Sequence, residues 1–572
     1  MRVVTPKQMS RIEDRSEQLG VTKRQLMLNA GKRVAEHIDS YCRNEMELPP
    51  EASSIVFLIG TGNNGGDCSA AAEILVYKGY QITVITLCGE PKTELAQEMY
   101  SRLPERVKKI TGYRTESTKA ALEAAELNFM TVQEQDISEL IKKKELTPIE
   151  RLLINEKKRM SDIRGAVVSA DVLVDGVFGT GFKGNLDKDI SSVFAISTPA
   201  YRIAVDVPSG GNCTTGAVSS GIFRTDETIT FGWHKTGMTQ YPLKKYCGRI
   251  TSVDIGIPQA ALGAVEGDRQ YYRIDRAELT GFPPKRERDA HKGTFGSVLV
   301  IAGSNSMRGA AAFAVQGALR SGAGMVRLAS VAKVIDTVSV LAPEATFIEL
   351  AEDDYGFMAF DDNIPALKEA IKKTDTIVIG CGMGVTNDTI QLTKFVVRSA
   401  QDAGCTVIID ADGINCIAKD IEILQNLRKD VIITPHPGEM ARLLSCDSKM
   451  INDNRIVVAE KYAEKFGVTV VLKGAGTLVC NGRVTAANHT GNAGMSRGGT
   501  GDILAGIIGS VIAQGYLPYE GACAGVYLHG LAGDAAAEKL GQEAMLPRDI
   551  VSSLPDAFAL IKEKNKKEDM NQ

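Results

Sequence analysis

The chain has 572 residues, 44% of them hydrophobic and 24% charged, with a formal net charge of −4. That length exceeds a single core, since domains run to about 100–200 residues and two to four are expected. The mild charge balance argues against nucleic acid or an anionic membrane as partner. Eleven cysteines, scattered without a CxxC pair or a Cys/His cluster, argue against a disulfide framework or zinc site and for a reducing compartment.

The opening MRVVTPKQMSRIEDRSEQ lacks the apolar core of a signal peptide. No run of about 18 apolar residues predicts a spanning helix, and a cytoplasmic location is expected. Residues 5–43 carry a helical apolar stripe: Met9, Ile12, Leu26, Met27, Val34 and Ile38. Short β-branched runs follow, each ending in glycine before a helical pattern: SSIVFLIGTGNNGGD, YQITVITLCG, ADVLVDGVFGTG and YRIAVDVPSGG. Residues 105–165, rich in Glu and Lys, read as a mostly helical insertion between two strands. A polar interval gives a linker at 261–285, separating a domain at 1–260 from one at 286–562. The rhythm restarts with GSVLVIAGS, DTIVIGCGMG, CTVIIDADGIN, DVIITPHPGE and VTVVLKGAGT. Residues 563–572 read as a frayed tail. Strands alternating with helices predict an α/β protein of two doubly wound domains, with chemistry at the carboxyl ends of parallel strands.

GTGNNG and GTGFKG both satisfy GxGxxG, so that pattern discriminates little. An NAD-type site wants an acid closing the second strand, and here the strand ends VITLCG. The first loop offers the Asn63 and Asn64 amides and backbone N–H groups suited to phosphate. Asp67 is either a helix cap or a working carboxylate. Asp175 and Asp206 close β-branched runs; each reads either as a turn acid or as a functional group. With Asn64 and Ser209 they form an all-oxygen set that suits a hard cation, and a carboxylate there can also move protons. In NAGMSRGGTGDILAG, Ser496 sits in GxSxG, but a hydrolase elbow requires a strand directly before it, and AANHTGNA is a poor one. The loop reads better as a glycine turn entering a helix whose N–H groups hold a terminal phosphate. Asp502 then stands in the first turn, poised to take a proton from a hydroxyl. Lys292, His436 and Lys473 are further candidates, beside glycines or at strand ends.

Together these motifs are specific. GTGNNGGD, VDGVFGTGFKG and VDVPSG resemble the NAD(P)HX epimerase half of the bifunctional NAD(P)H-hydrate repair enzymes. HKGTFGSVLVIAGS, GAGMVRLA, DADGIN, TPHPGEMARLL, VLKGAGT and GNAGMSRGGTGDILAGIIG resemble the ADP-dependent dehydratase half, a ribokinase-like domain. The resemblance implies a Rossmann-like three-layer first domain that interconverts the epimers of NADHX and NADPHX, hydrates of the reduced cofactors. It implies a second domain that dehydrates the S epimer at the expense of ADP, releasing AMP and phosphate. Carried over, the epimerase pocket comprises Asn63, Asn64, Gly65, Gly66, Asp67, the loop Gly179, Thr180, Gly181, Phe182, Lys183, Gly184, Asn185, and the catalytic Asp206. Potassium falls to Asn64, Asp175 and Ser209. In the dehydratase the hydrate meets Gly384, His436 and the catalytic Asp502. The nucleotide lies on Lys473, Gly474, Ala475, Gly476 and Thr477 and on Asn492, Ala493, Gly494, Met495, Ser496, Arg497, Gly498, Gly499, Thr500 and Gly501, with Mg²⁺ held mainly through its phosphates. A homo-oligomer is expected. Three departures stand out: Cys68 in place of the family's glycine, GCGMG in place of a proline-containing GPG pattern, and the length of the 105–165 insertion. The rival readings are a ribokinase-like small-molecule kinase and an N-terminal domain kept only as scaffold.

Overall fold

The computed structural model describes residues 1–125, 138–143, 145–275, 279, 281–427 and 430–569. It divides into two compact units, Val3–Asp268, and Met1–Arg2 with Arg269–Gln572. In the first unit the strands are β1 (Arg2–Val4), β2 (Ser54–Ile59), β3 (Gln81–Thr86), β4 (Lys108–Thr111), β5 (Val172–Gly176), β6 (Tyr201–Val205), β7 (Glu227–Phe231), β8 (His234–Lys235) and β9 (Arg249–Val253). Seven of them form a wholly parallel sheet in the order β4-β3-β2-β5-β6-β7-β9. The order reverses between β2 and β5, which makes their carboxyl ends the crevice where ligands bind in such sheets. Both faces are covered, as a parallel sheet requires. Ile55, Phe57 and Ile59 of β2 pack one side and Val56 and Leu58 the other.

The second unit contains β10 (Gln270–Arg273), β11 (Ser297–Ile301), β12 (Met325–Val331), β13 (Thr346–Leu350), β14 (Thr376–Ile379), β15 (Thr406–Ile409), β16 (Val431–Ile433), β17 (Thr469–Leu472), β18 (Leu478–Cys480) and β19 (Val484–Ala487). They are ordered β13-β12-β11-β14-β15-β16-β17-β18-β19-β10. Pairing is parallel from β13 to β17 and antiparallel on both sides of β18. The switch point lies between β11 and β14. The helix Thr500–Ala513 is apolar nearly all round and buried along most of its length, as a helix inside a large core must be. Both units are thus doubly wound α/β structures, as the strand rhythm predicts.

Three stretches carry more structure than the sequence suggests. The expected linker 261–285 contains the division between the units, at 268/269, but has elements of its own. The 3-10 helix Gln259–Val265 packs Ala261 and Val265 onto Val4, Met9 and Ile12 of the first unit, and β10 pairs in register with β19 of the second. Its polar composition hid a strand; residues 276–278 and 280 lie outside the described residues. The expected tail is helical, because the helix Pro547–Asp569 runs through it; residues 570–572 lie outside the described residues. The insertion is not helical from its start: 108–111 form β4 at the sheet edge, followed by helices Glu116–Ala124 and Pro148–Val168, while 126–137 and 144 lie outside the described residues. Its fixed point is a buried ion network. Arg114 bonds Glu156 at 2.7 Å and Asp189 at 3.0 Å.

Cys68 is fully buried, its thiol against Gly176 of β5. A Cβ on Gly176 would lie 2.2 Å from its Sγ and 3.1 Å from the Asn64 carbonyl. Gly176→Ala is therefore expected to destabilise the first unit by about 1–3 kcal/mol, the usual cost of overpacking. A denaturant titration showing no change would place the thiol elsewhere.

Candidate functional site

In the first unit β2 feeds the helix Asn63–Tyr77, so Asn63 to Asp67 form its opening turn. Asn63 Oδ1 accepts from Thr93 Oγ1 at 2.6 Å. The buried Asn64 amide donates to the carbonyls of Phe178 and Val205, each at 3.1 Å. It thereby ties together the chain leaving β5 and the end of β6. Asp175 is fully buried. Its carboxylate accepts from Ser209 N at 2.7 Å, Ser209 Oγ at 2.6 Å and Val177 N at 3.2 Å. Burial pushes Asp175 up to about 6 against these bonds. The Phe178 carbonyl lies 3.3 Å from Ser209 Oγ. A carboxylate, a hydroxyl and two carbonyls thus converge here, with the Asn64 Nδ2 directed at the carbonyls.

Asp206 follows β6 with φ of 65°, a left-handed backbone that costs a non-glycine residue energy and is typical of functional sites. Its Oδ1 accepts from Thr230 Oγ1 at 3.0 Å, from Phe231 N at 3.3 Å and from the Lys235 ammonium. Lys235, its side chain only 1% exposed, also donates to Thr230 Oγ1 at 2.9 Å. Two more carboxylates face this pair. Burial, then the Asp206 charge, push Glu13 up to about 7. Burial first, then the charges of Asp206 and Glu13, raise Asp67 well above the carboxylate range. Of the three acids only Asp206 is bonded to the ammonium, whose charge partly offsets the rise of the other two. Neither Lys235 nor Glu13 was singled out by the sequence. The loop Gly179–Asn185 is partly or fully exposed, with the Phe182 ring 5.1 Å from that of Phe178.

In the second unit four parallel strands deliver side chains to one place. Asp410, immediately after β15, is buried and accepts from Thr434 Oγ1 at 2.6 Å and from Lys473 Nζ at 2.5 Å. Lys473 Nζ is also 3.8 Å from Glu439. Burial, partly offset by Lys473, pushes Glu439 up to about 7. Asp502 stands in the first turn of the helix Thr500–Ala513. Burial and the Asp410 charge push it up to about 7 as well. The backbone between the acids is strained: Ala411 has φ of 47° and ψ of −115°. Gly384 donates its N–H to Asp412 at 2.9 Å. His436 caps the helix Pro437–Leu444, its Nδ1 accepting from Gly438 N at 3.0 Å. Burial first, then Lys473, lower its pKa, which favours the neutral ring. The Lys473 ammonium is bonded to Asp410 Oδ1, which leaves Oδ2 facing Cys381 and the Asp502 side.

The glycine loop divides by role. A Cβ at Gly494 or Gly499 would strike Met545 Sδ at 2.5 Å or Phe313 Cε2 at 2.6 Å, whereas nothing lies within 4 Å of one at Gly498. A Cβ at Gly501 would lie 3.2 Å from Lys473 Nζ, so this face of the loop opens on the charged cluster. Asn492 Nδ2 donates to Gly533 O at 2.9 Å and Asp534 Oδ1 at 3.0 Å, which fixes the loop's start. A 3-10 helix, Ala493–Met495, and not a strand, precedes Ser496, so the hydrolase elbow is excluded. Gly474 to Thr477 form the turn between β17 and β18, with Thr477 Oγ1 bonded to Gly474 O at 3.0 Å. Lys292 is exposed on a short helix ahead of β11. Asp410, Glu439 and Asp534 were missed as site residues, although Asp410 closes the run CTVIID just as Asp175 and Asp206 close theirs.

Comparison with known proteins agrees with this two-part layout. A family model described as NAD(P)H-hydrate dehydratase matches residues 298–556, and one described as YjeF-related protein N-terminus matches residues 23–237. The bifunctional NAD(P)H-hydrate repair enzyme Nnr of Moorella thermoacetica is 32% identical over 94% of this chain and 93% of its own. That of Thermofilum pendens is 31% identical over 96% and 94%. Among solved structures, an ADP/ATP-dependent NAD(P)H-hydrate dehydratase from Bacillus subtilis co-crystallised with ATP/Mg²⁺ is 28% identical, covering 51% of this chain and 98% of its own with a TM-score of 0.44. With identity sustained over both units, the chain belongs to the family of bifunctional NAD(P)H-hydrate repair enzymes.

Proposed function

We propose that the first unit interconverts the R and S epimers of NADHX and NADPHX, and that the second dehydrates the S epimer with ADP as phosphoryl donor. The observation that carries the second half is Asp502, a half-buried carboxylate at a helix start beside an open glycine face and an Asp410–Lys473 ion pair. Asp502 takes the C6 hydroxyl proton as that oxygen attacks the terminal phosphate of ADP, and AMP leaves. Phosphate then departs from C6 as the ring nitrogen pushes its electron pair, and loss of the C5 proton restores the reduced nicotinamide. The hydrate lies against Gly384 and His436. The nucleotide lies on the 473–477 turn and the 492–501 loop, where backbone N–H groups stabilise charge developing on phosphate. Mg²⁺ accompanies the phosphates.

In the first unit Asp206 moves the proton, with Lys235 holding its charge, over a pocket bounded by Asn63–Asp67 and Gly179–Asn185. Asn64, Asp175 and Ser209 hold potassium; their oxygen chemistry and the adjoining carbonyls support that assignment. The full chain acts in the cytoplasm as a homo-oligomer. The test supplies mixed R and S hydrates with ADP and follows recovery of the reduced-nicotinamide absorbance. Complete recovery supports both activities, recovery that halts once the S form is spent refutes the epimerase, and accumulation of a phosphorylated product would favour a kinase.

A pH dependence follows. Asp502 works as a base only when ionised, so kcat for dehydration should fall as pH drops through about 7, a tenfold loss per unit below it. A profile flat down to pH 5 would sink the assignment.

A further inference from the structure

Cys381 has no part in the scheme above, yet its thiol lies within it. It stands two residues past β14 and is fully buried. Its Sγ and one carboxylate oxygen each of Asp410 and Asp502 all lie within 4.8 Å of one another. Sγ donates to Asp410 Oδ2 at 3.7 Å, and an Asp502 carboxylate oxygen lies within 4.8 Å of it. A thiol has one proton to donate, weakly. Burial and the two neighbouring carboxylates raise its pKa well above the usual thiol value, so it keeps that proton.

The charges around Asp502 come from several elements. Asp410 follows β15, Asp412 opens the helix Asp412–Lys419, and Lys473 follows β17. Glu439 and His436, from the helix Pro437–Leu444 and its cap, face Lys473. His529, buried and kept neutral on the helix Pro518–Leu540, faces Lys473 and Thr500. Asp410 and Asp412 disfavour the ionised base and Lys473 favours it, but the ammonium is bonded to Asp410 Oδ1. The thiol is the neutral donor standing between the two carboxylates.

We propose that Cys381 is a positioning residue for dehydration, its S–H bridging Asp410 and Asp502. The thiol donates to Asp502 while that carboxylate is the base. Once Asp502 has taken the hydroxyl proton, the S–H turns to Asp410 Oδ2, and sulfur neither gains nor loses a proton in the cycle. The role rests on Asp502 being the base.

The experiment measures ADP-dependent dehydration of the S epimer by the full chain as a function of pH in Cys381→Ala, Cys381→Val and Cys381→Ser. Removing the donor should move the acid limb of kcat upward by about half a unit. The rate then falls about threefold near pH 6 and is unchanged near pH 8.5, with KM for ADP and hydrate unaltered. Cys381→Ser keeps a donor and should hold the limb at or below its native position. An unmoved limb in all three variants overturns the proposal, as does an equal loss at every pH, which is what a merely structural role would give. Asp502→Asn separates the two assignments. If it still dehydrates, the base assignment fails. If it is inactive while the Cys381 variants keep the native limb, only the role of Cys381 fails.

Discussion

Asp502→Asn should lower kcat for ADP-dependent dehydration by roughly 10²–10⁴-fold, the usual contribution of a positioned base, and leave epimerisation intact. Stability should move the other way. Burial and the Asp410 charge push the folded pKa of Asp502 up to about 7 from an ordinary 3.8, so the folded chain binds this proton more tightly than the unfolded chain does. The contribution to stability is full below about pH 4 and is lost as pH rises through about 7. At pH 8 the native protein carries a half-buried, ionised carboxylate beside that of Asp410, and the amide relieves it. The variant should melt higher than the native protein at pH 8, by about 2–4 °C for each kcal/mol gained, and level with it near pH 4. Such a gain is the signature of a group kept for activity at the expense of the fold. Lower melting at pH 8 would mean that Asp502 is solvated, and would remove the reason for its raised pKa.

Lys235→Met should abolish epimerisation and cost the first unit about 3–5 kcal/mol, the price of breaking one partner out of a buried pair. Methionine fills the volume but leaves Asp206 without its ammonium and Asp67 and Glu13 without its nearby charge. Glu13 and Asp67, both held down in part by Lys235, should then rise further. Dehydration of supplied S epimer should persist at a temperature where the first unit remains folded. The double variant Asp206→Asn/Lys235→Met should lose less stability than the two singles summed, because the neighbours couple. Additive losses would mean that the two side chains act independently, and an active Lys235→Met would remove the lysine from the chemistry.

Much of this site was legible because it obeys one local rule, a β-branched run ending in an acid or a glycine. The rule finds Asp175 and Asp206, and applied evenly it also finds Asp410. The register of short or distant elements is another matter. Lys235 lies on a two-residue strand that pairs in parallel with β1, Val4 opposite Lys235, and nothing in FGWHKTG announces that pairing. Glu13 sits beside the buried Ile12 on an amphipathic helix, where a charge reads as solvated. Cys381 was visible as a departure within GCGMG, but its two carboxylate neighbours come from β15 and from a helix more than a hundred residues later. The strand inside the expected linker escaped notice for the same reason. β10 is made by its partner β19, and its own residues, QYYR, are all only partly buried.

The Asp410–Thr434–Lys473 set shows that side-chain length is selected along with charge. Neighbouring strands lie about 4.8 Å apart, so β17 stands about 10 Å from β15. Thr434, at the end of the adjacent strand β16, reaches the carboxylate with a single carbon and a hydroxyl. From one strand further away the same carboxylate is reached by the four-carbon stem of lysine, stretched across its neighbour. A shorter cation at 473 would keep the charge and miss the partner. The width of the sheet acts as a gauge that fixes which residue types can serve at each strand end.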